Sequence, residues 1–256
     1  MRDELGDRMK RDYESRTRYF LPRRTYTLIR VDGKAFHTYT RGCARPYDLE
    51  LMADMDAAAF GLCKEAQGAC FAYVQSDEIS VLLTDFESVK TEAWFDGNLQ
   101  KLASISASVV TAHFNAARVA RGVSDRLAVF DARVWTIPSR VEVENYFVWR
   151  QQDATRNAVT MTAGAHFSHD SLQNVSTGEM QERLFAEKGV KFNDLPARFK
   201  RGRFVERVTD ERTKSFFDGR DGAEKSATVT RNVWASVEPP VFTRDREWLA
   251  DRIPIH

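Results

Sequence analysis

The sequence predicts an α+β fold: an antiparallel, ferredoxin-like sheet with helices on one face, followed by a smaller C-terminal α/β extension. Three observations predict it. Apolar, β-branched runs alternate with long helical-period stretches in the order β-α-β-β-α-β, the split βαβ arrangement. Two aspartates fall at the ends of those strands. After about Ala165 the texture changes, and polar loops replace the long periodic segments. On this reading residues 1–138 form the sheet domain and residues 139–256 a helical and β extension. No low-complexity linker separates them, so the second part is expected to pack on the first.

The elements follow in order. Residues 1–24 read as a charged, partly helical lead-in that ends at Pro22. Thr25 to Asp32 mixes β-branched and apolar residues and reads as a strand, stopped by Gly33. Asp48 is placed to N-cap a helix reaching about Gln67, with Leu49, Met52, Met55, Phe60 and Leu62 facing the core. Ala69 to Val74 and Ile79 to Leu83 read as strands of a hairpin whose tip is Gln75-Ser76-Asp77-Glu78. Asn98 to about Arg118 has helical spacing, with Leu99, Leu102, Ile105, Val109 and Phe114 as its apolar positions. Ala128 to Ile137 is another strand. Ser139-Arg140-Val141-Glu142 reads as a capping box opening a helix to about Ala163. A further helix runs from Ser176 to Lys188, closed by Gly189. Strand-like runs follow at Arg203–Val208 and Thr228–Val237, the second stopped by Glu238-Pro239-Pro240. Polymerase palms and nucleotide cyclases share the arrangement of the first six elements.

Composition sets bounds. The 256 residues are 43% hydrophobic, enough to build a real core at this length. No apolar run approaches the length of a membrane span. The N-terminal stretch MRDELGDRMKRDYESR lacks the apolar centre of a secretory signal, so a cytoplasmic location is expected. Cys43, Cys63 and Cys70 include no CxxC pair, which argues against both a disulfide framework and a zinc site. Net charge is only +1, so bulk charge says nothing about nucleic acid. The distribution says more: Arg198, Lys200, Arg201, Arg203 and Arg207 crowd ten residues against one acid, Glu206. Such a run suits a phosphate-binding patch or a solvated basic face.

Asp32 and Asp77 are the candidates for metal-dependent chemistry. In a ferredoxin-like sheet the first strand lies beside the third, so the strand end and the hairpin tip converge. Convergent carboxylates with little basic neutralisation bind hard divalent cations such as magnesium. With substrate phosphates, two such carboxylates hold two ions, one activating a hydroxyl and the other steadying a leaving pyrophosphate. The alternative is two unrelated turn aspartates. Glu78 adds a carboxylate, but alternation along a strand turns it away from its neighbour, as a supporting or structural acid. Asp32-Gly33-Lys34-Ala35-Phe36-His37 is a compact turn whose amides are able to approach a triphosphate. Neither a Walker loop nor a GxGxxG fingerprint is present.

Ile29 to His37 and Ala72 to Ser80 resemble, at the right spacing, the nucleotide-binding segments of the tRNA-His guanylyltransferase family. Arg45-Pro46-Tyr47-Asp48, Asn98-Leu99-Gln100-Lys101, Phe130-Asp131-Ala132-Arg133 and Trp149-Arg150-Gln151-Gln152-Asp153 add to the resemblance, which spans roughly residues 5–210. It implies a palm-like catalytic domain that adds nucleotides in the 3′-to-5′ direction. The RNA 5′ end, activated by ATP or already a triphosphate, is attacked by the 3′-hydroxyl of an incoming nucleotide. Asp32 and Asp77 would ligand two Mg2+ ions, with the Gly33 carbonyl. Asp32, Gly33, Lys34, Ala35, Phe36, His37, Ser76 and Asp77 would cradle GTP or another nucleoside triphosphate. Arg30, Arg45, Asp48, Glu78 and Lys101 are secondary candidates around the phosphates. Arg150, Arg156, Asn157, Arg198, Lys200, Arg201 and Arg203 are candidate RNA contacts. Family members resemble tetramers built as dimers of dimers.

Eukaryotic members carry a His-Ile-Asn-Asn type segment after Gln-Gln-Asp; here Asp153 precedes Ala154-Thr155-Arg156-Asn157-Ala158-Val159. Asp96-Gly97-Asn98 replaces an arginine-rich stretch. Both features resemble the bacterial and archaeal guanylyltransferase-like branch, which implies template-dependent repair of 5′-truncated tRNA. Strict addition of guanosine to tRNA-His is the alternative. A palm-type nucleotide cyclase and a non-catalytic tRNA-binding protein are the competing classes.

Overall fold

The charged lead-in forms a short helix, α1 (Glu4–Asp12), capped by the Asp3 carboxylate on the Gly6 amide. The computed structural model describes residues 3–123, 126–218 and 223–256. Strand β1 (Tyr26–Gly33) leads through a one-turn helix, α2 (Phe36–Tyr39), to α3 (Leu49–Glu65). The hairpin β2 (Ala69–Gln75) and β3 (Glu78–Leu83) follows. Then come α4 (Leu99–Ala120), β4 (Phe130–Ile137) and the 27-residue α5 (Arg140–His166). The remainder comprises α6 (Thr177–Lys188), α7 (Ala197–Lys200), β5 (Arg203–Asp218), β6 (Ala223–Val237) and α8 (Arg246–Ala250).

The sheet order is β4-β1-β3-β2-β5-β6, antiparallel throughout. The first four strands reproduce the predicted order, with β1 between β3 and β4. Alternation along each strand gives the sheet two apolar faces. Ile29, Val31, Val74, Ile79 and Val81 meet Met55, Leu62, Leu102, Val110 and Phe114 of α3 and α4, so the two palm helices share one face as expected. Leu28, Phe71, Tyr73 and Leu82 on the opposite face meet Val143 and Phe147 of α5, with Phe204, Phe242 and Leu249 from the C-terminal part. The second half of α5 packs on α6 through Ala158, Val159, Ala163, Met180 and Leu184.

Several local expectations hold at atomic level. The Asp48 carboxylate accepts from Leu51 N at 2.9 Å, Asn98 Oδ1 from Lys101 N at 3.0 Å and Ser176 Oγ from Glu179 N at 3.2 Å. Gly189 closes α6 with φ 68°. Others are corrected. Ser139 stands at the N-cap of α5 but its side chain makes no cap hydrogen bond, and Glu142 instead accepts from Asn145. Leu49 is exposed because the first turns of α3 border a cleft rather than the core. Ile105 is exposed because the core stripe of α4 runs Leu102, Ser106, Val110, Phe114 at helical spacing, and Ser106 takes the inward position. Beyond Val205, β5 pairs with β6 alone, so the two strands project as a ribbon longer than their apolar pattern predicted.

Buried acids tie the layers together. Asp54 on α3, fully buried, accepts from Arg118 at 3.1 Å and Arg121 at 2.7 Å, joining α3 to α4. Asp56 accepts from Arg203 Nε at 2.5 Å and Arg198 at 3.1 Å, joining α3 to the start of β5. Removing one partner of such a pair strands a desolvated charge. Asp56→Ala is therefore expected to cost about 3–5 kcal/mol, read from the shift in a urea unfolding midpoint. The double variant Asp56→Ala/Arg203→Met should recover much of that loss.

Candidate active site

Sheet order, a tertiary property, brings the acids together. Asp32 pairs across the sheet with Glu78 on one side and Asp131 on the other. Asp77 sits in the two-residue turn Ser76-Asp77 between β2 and β3, with Ser76 in the left-handed region at φ 46°. The Gly33 amide donates to the Asp77 carbonyl at 3.2 Å, which fastens the hairpin tip to the end of β1. Burial pushes the Asp77 carboxyl up to about 6; the Ser76 hydroxyl opposes that shift and the Asp32 charge adds to it. Burial also raises Asp32, helped by Glu78 and Asp131 and countered by Arg30 and Arg133.

Among the described residues neither Asp32 nor Asp77 forms an ion pair. Two hard oxygen donors, each with its proton affinity raised by burial and by neighbouring acids, suit a cation. Among the described residues no cluster of three or more His, Cys, Asp or Glu side chains is arranged to hold a metal. A donor set of two carboxylates suits magnesium, which keeps several waters and binds through one or two carboxylates plus phosphates. The residues present fit that ion.

The turn after Asp32 is held by packing. A Cβ on Gly33 would lie 2.3 Å from the Phe36 ring. That ring stacks on Tyr39 at 4.9 Å and meets Phe130 at 5.4 Å and Phe114 at 5.6 Å. Ala35 adopts φ 52°, a strained conformation for a side chain, and Lys34 N donates to Val129 O at 2.8 Å. The first amides of α2 have no acceptor within the helix.

Beside this turn lies a cleft of about 610 Å³, within the range of small-molecule sites. One wall carries Gly33, Ala35, Phe36 and His37, with Ser76 and Asp77 at the hairpin tip. Arg45 and Asp48 stand before α3, and Ala154, Asn157, Ala158 and Met161 of α5 form the facing wall. Arg198, Phe199, Gly202 and Arg203 close it. Phe36 is a core residue, so it offers the cleft mainly backbone. Burial works to raise the Asp48 carboxyl, but the Leu51 and Ala44 amides hold it net below its ordinary value; this oxygen pair is engaged in capping.

Other candidates lie elsewhere. Lys34 is exposed and off the cleft wall. The Lys101 ammonium sits 5.6 Å from the centre of the Phe95 ring. Arg30 is turned towards Glu78 at 4.0 Å, and its Nε is buried without a partner. Glu78 accepts from Arg150 at 2.8 and 2.6 Å on the α5 face, the structural role that strand alternation suggested. The basic run is not one face. Arg150 and Arg203, expected as RNA contacts, are 5% and 2% exposed and are consumed by Glu78 and Asp56. The reason is electrostatic: a carboxylate carried into the core needs a cation, and these arginines supply it. Arg198 lines the cleft while also bound to Asp56; Lys200 and Arg201 face a second cavity behind it.

Two residues escaped sequence reasoning. Asp131 is a cross-strand neighbour of Asp32, visible only once β4 is known to flank β1. Gln151 donates to Pro240 O at 2.8 Å and accepts from Phe242 N at 2.7 Å, clamping the C-terminal segment to α5. The matched segments Phe130–Arg133 and Trp149–Asp153 were the only signals for either.

Known proteins share this architecture. A family profile described as tRNAHis guanylyltransferase matches residues 6–138. A bacterial tRNA(His) guanylyltransferase-like protein, solved in complex with ATP, superposes with a TM-score of 0.86 at 38% identity, covering 99% of this chain and 100% of that one. Its GTP complex gives 0.80 at 37%, with the same coverage. The crystal structure of the Saccharomyces cerevisiae tRNA(His) guanylyltransferase gives 0.65 at 27%, covering 77% of this chain and 91% of that one. The tRNA(His) guanylyltransferase of Debaryomyces hansenii is 28% identical over 261 residues, 92% of this chain and 95% of the relative. A palm-type sheet with two unneutralised carboxylates at its strand ends, beside a ligand-sized cleft, defines a nucleotidyltransferase. The chain belongs to the tRNAHis guanylyltransferase family.

The raised Asp77 carboxyl makes a pH prediction. Its ordinary value is 3.8 and its folded value about 6, so the folded state binds the proton more tightly. That contribution is full below about pH 4 and is lost as pH rises through about 6, a change of about 1–3 kcal/mol. In metal-free protein the melting temperature should fall over this window more steeply than in Asp77→Asn. Magnesium added above pH 6 should restore stability to the wild type and not to the variant.

Proposed function

We propose that this enzyme adds nucleotides in the 3′-to-5′ direction to the 5′ end of tRNA, repairing 5′-truncated tRNA under the direction of the opposite strand. The observation that carries the reading is the cleft wall facing the acidic tip. Ala154, Asn157 and Ala158, from the segment after Asp153 that departs from the eukaryotic pattern, form it together with Met161, and none of the four is charged. A wall of this kind leaves base choice to pairing with a template rather than to a dedicated reader of guanine. Near-complete coverage by the bacterial guanylyltransferase-like fold agrees with this branch. The curated relatives named for tRNA(His) favour the second reading, strict addition of guanosine to tRNA-His.

In this mechanism Asp32 and Asp77, with the Gly33 carbonyl, would hold two Mg2+ ions. When bound, those ions polarise phosphate oxygens and lower the pKa of an attacking hydroxyl. The chain's own part is positioning. The turn from Asp32 to His37 would cradle the triphosphate of GTP, ATP or another nucleotide through the amides of Ala35, Phe36 and His37 and the Ser76 hydroxyl, since the Gly33 and Lys34 amides are already bonded. His37, Arg45 and Arg198 would meet phosphate oxygens. Asp32 and Asp77 must be deprotonated to bind a cation, so burial of Asp77 makes protons compete with magnesium and cation binding should weaken as pH falls. The RNA 5′ end, activated by ATP or carrying its own triphosphate, lies where the nucleotide 3′-hydroxyl reaches it. We also infer a homo-oligomer, a tetramer built as a dimer of dimers. The ribbon of β5 and β6 exposes Phe216 and Phe217, and an isolated two-stranded ribbon is marginal in water. Among the described residues no helix is long and apolar enough to cross a membrane, and a cytoplasmic tRNA enzyme accords with that.

The test uses a labelled 5′-truncated tRNA offered each nucleotide in turn. Incorporation should follow the opposite strand; guanosine alone, on tRNA-His alone, would establish the second reading instead. Asp77→Ala should abolish addition while its circular dichroism stays that of wild type and its urea midpoint does not fall, because the variant no longer buries a carboxylate. Undiminished addition by Asp77→Ala would remove the carboxylate pair from the chemistry.

A further inference from the structure

Behind the cleft, across α5, lies a second cavity of about 660 Å³. Its charged lining residues are all basic: Arg156, Lys200, Arg201 and Arg244. The cavity is built by fixed contacts on both sides. Gln151, 4% exposed, uses both ends of its amide to hold Pro240 and Phe242, which brings the wall carrying Arg244 against α5. On the other side the Tyr73 hydroxyl donates to the Arg201 carbonyl at 2.6 Å. Gly202 makes the corner at φ 71°, where a Cβ would lie 2.6 Å from that hydroxyl.

The cations here differ from their neighbours. Arg150 and Arg203 each have a buried carboxylate, and Arg156 at the rim pairs with Asp153 at 2.8 Å, so the contrast lies in Lys200 and Arg201. Lys200 is 8% exposed, donates to the Asn193 carbonyl and forms no ion pair among the described residues. Burial and the adjacent Arg201 charge hold its ammonium below the ordinary value, although Asp194 and Glu238 pull the other way. The Arg201 Nε is buried with no acceptor. Buried positive charge without a counter-charge is costly, and an anion in the cavity would relieve it. The cavity also adjoins the cleft through two shared segments. Ala154 and Asn157 face the cleft while Thr155 and Arg156 face the cavity. Arg198 and Arg203 face the cleft while Lys200 and Arg201 face the cavity. A strand whose end is in the cleft therefore has a cationic seat one helix width away.

We propose that Lys200, Arg201 and Arg244, with Arg156 at the rim, form a phosphate-binding site for the backbone of the RNA substrate, separate from the triphosphate site in the cleft. The proposal rests on the reading that an RNA 5′ end enters that cleft. A free nucleotide triphosphate offers the same phosphate chemistry, and the test separates the two sources.

Full-length Arg201→Glu, Arg244→Glu and the milder double variant Arg201→Ala/Arg244→Ala are compared with wild type. Binding of a 5′-truncated tRNA is followed by fluorescence anisotropy over a salt series, and binding of ATP and GTP by equilibrium dialysis. The expected result is RNA affinity down about tenfold or more for each reversal. The double alanine variant should have a log K against log salt slope shallower by about 2, roughly one per cation removed. Nucleotide affinity and the urea midpoint should be unchanged. Arg201→Lys should keep the wild-type slope. Unaltered RNA affinity and slope in Arg244→Glu, which alters an exposed side chain, would overturn the proposal, as would loss of ATP binding with RNA binding intact. Wild-type protein that extends the tRNA while the variants bind it normally would sink this site and leave the functional reading standing. Wild-type protein that neither binds nor extends the tRNA would sink both.

Discussion

Two carboxylates that repel each other are held side by side, and much of the structure exists to keep them there. Asp32 ends the central strand of the palm, and Asp77 tops the hairpin that lies against it. The Gly33 amide on the Asp77 carbonyl prevents the hairpin tip from moving away. The apolar faces of β1, β2 and β3, buried by α3 and α4 on one side and α5 on the other, supply the stability that offsets the repulsion. Among the described residues neither acid has an ion-pair partner, so negative charge stays concentrated at the strand ends.

Helix α5 organises the rest. Its Arg150 neutralises Glu78 directly behind the acidic pair, so only the front acids are left for a ligand. Tyr146 meets Ser80 at 2.8 Å one residue pair further along β3. Gln151 fixes the C-terminal segment, and Ala154, Asn157 and Ala158 form the cleft wall. One helix therefore sets the charge of the site, its shape, and the boundary between the cleft and the basic cavity behind it. The neutralising arginines come from the same short basic stretches as the free ones. What separates them is whether a buried carboxylate stands opposite.

The parts legible in the sequence were those governed by near neighbours along the chain. Caps at Asp48, Asn98 and Ser176, the glycine stop at Gly189, and the alternation of apolar residues in the first four strands follow from hydrogen bonding and periodicity within a few residues. From that pattern the split βαβ order followed, and with it the convergence of Asp32 and Asp77. The failures were local ambiguities settled by packing. Ile105 looked inward until Ser106 took the stripe. Ser139 and Glu142 had the form of a capping box without making its bonds. The ribbon of β5 and β6 is mostly polar and carries little alternation to read.

The sequence by itself therefore determined the order and kind of the palm elements, the positions of the two acids and the family resemblance, because each is written in spacing along one chain. Only the tertiary structure decided which charges are free. Arg150 meets a carboxylate 72 residues away and Arg203 one 147 residues away, distances over which no periodicity carries information. Burial of Glu78 and Asp56 turned those arginines inward and left Lys200 and Arg201 without a carboxylate. The division of one basic run into structural cations and unneutralised ones is a consequence of desolvation, and it became visible only when the core was closed.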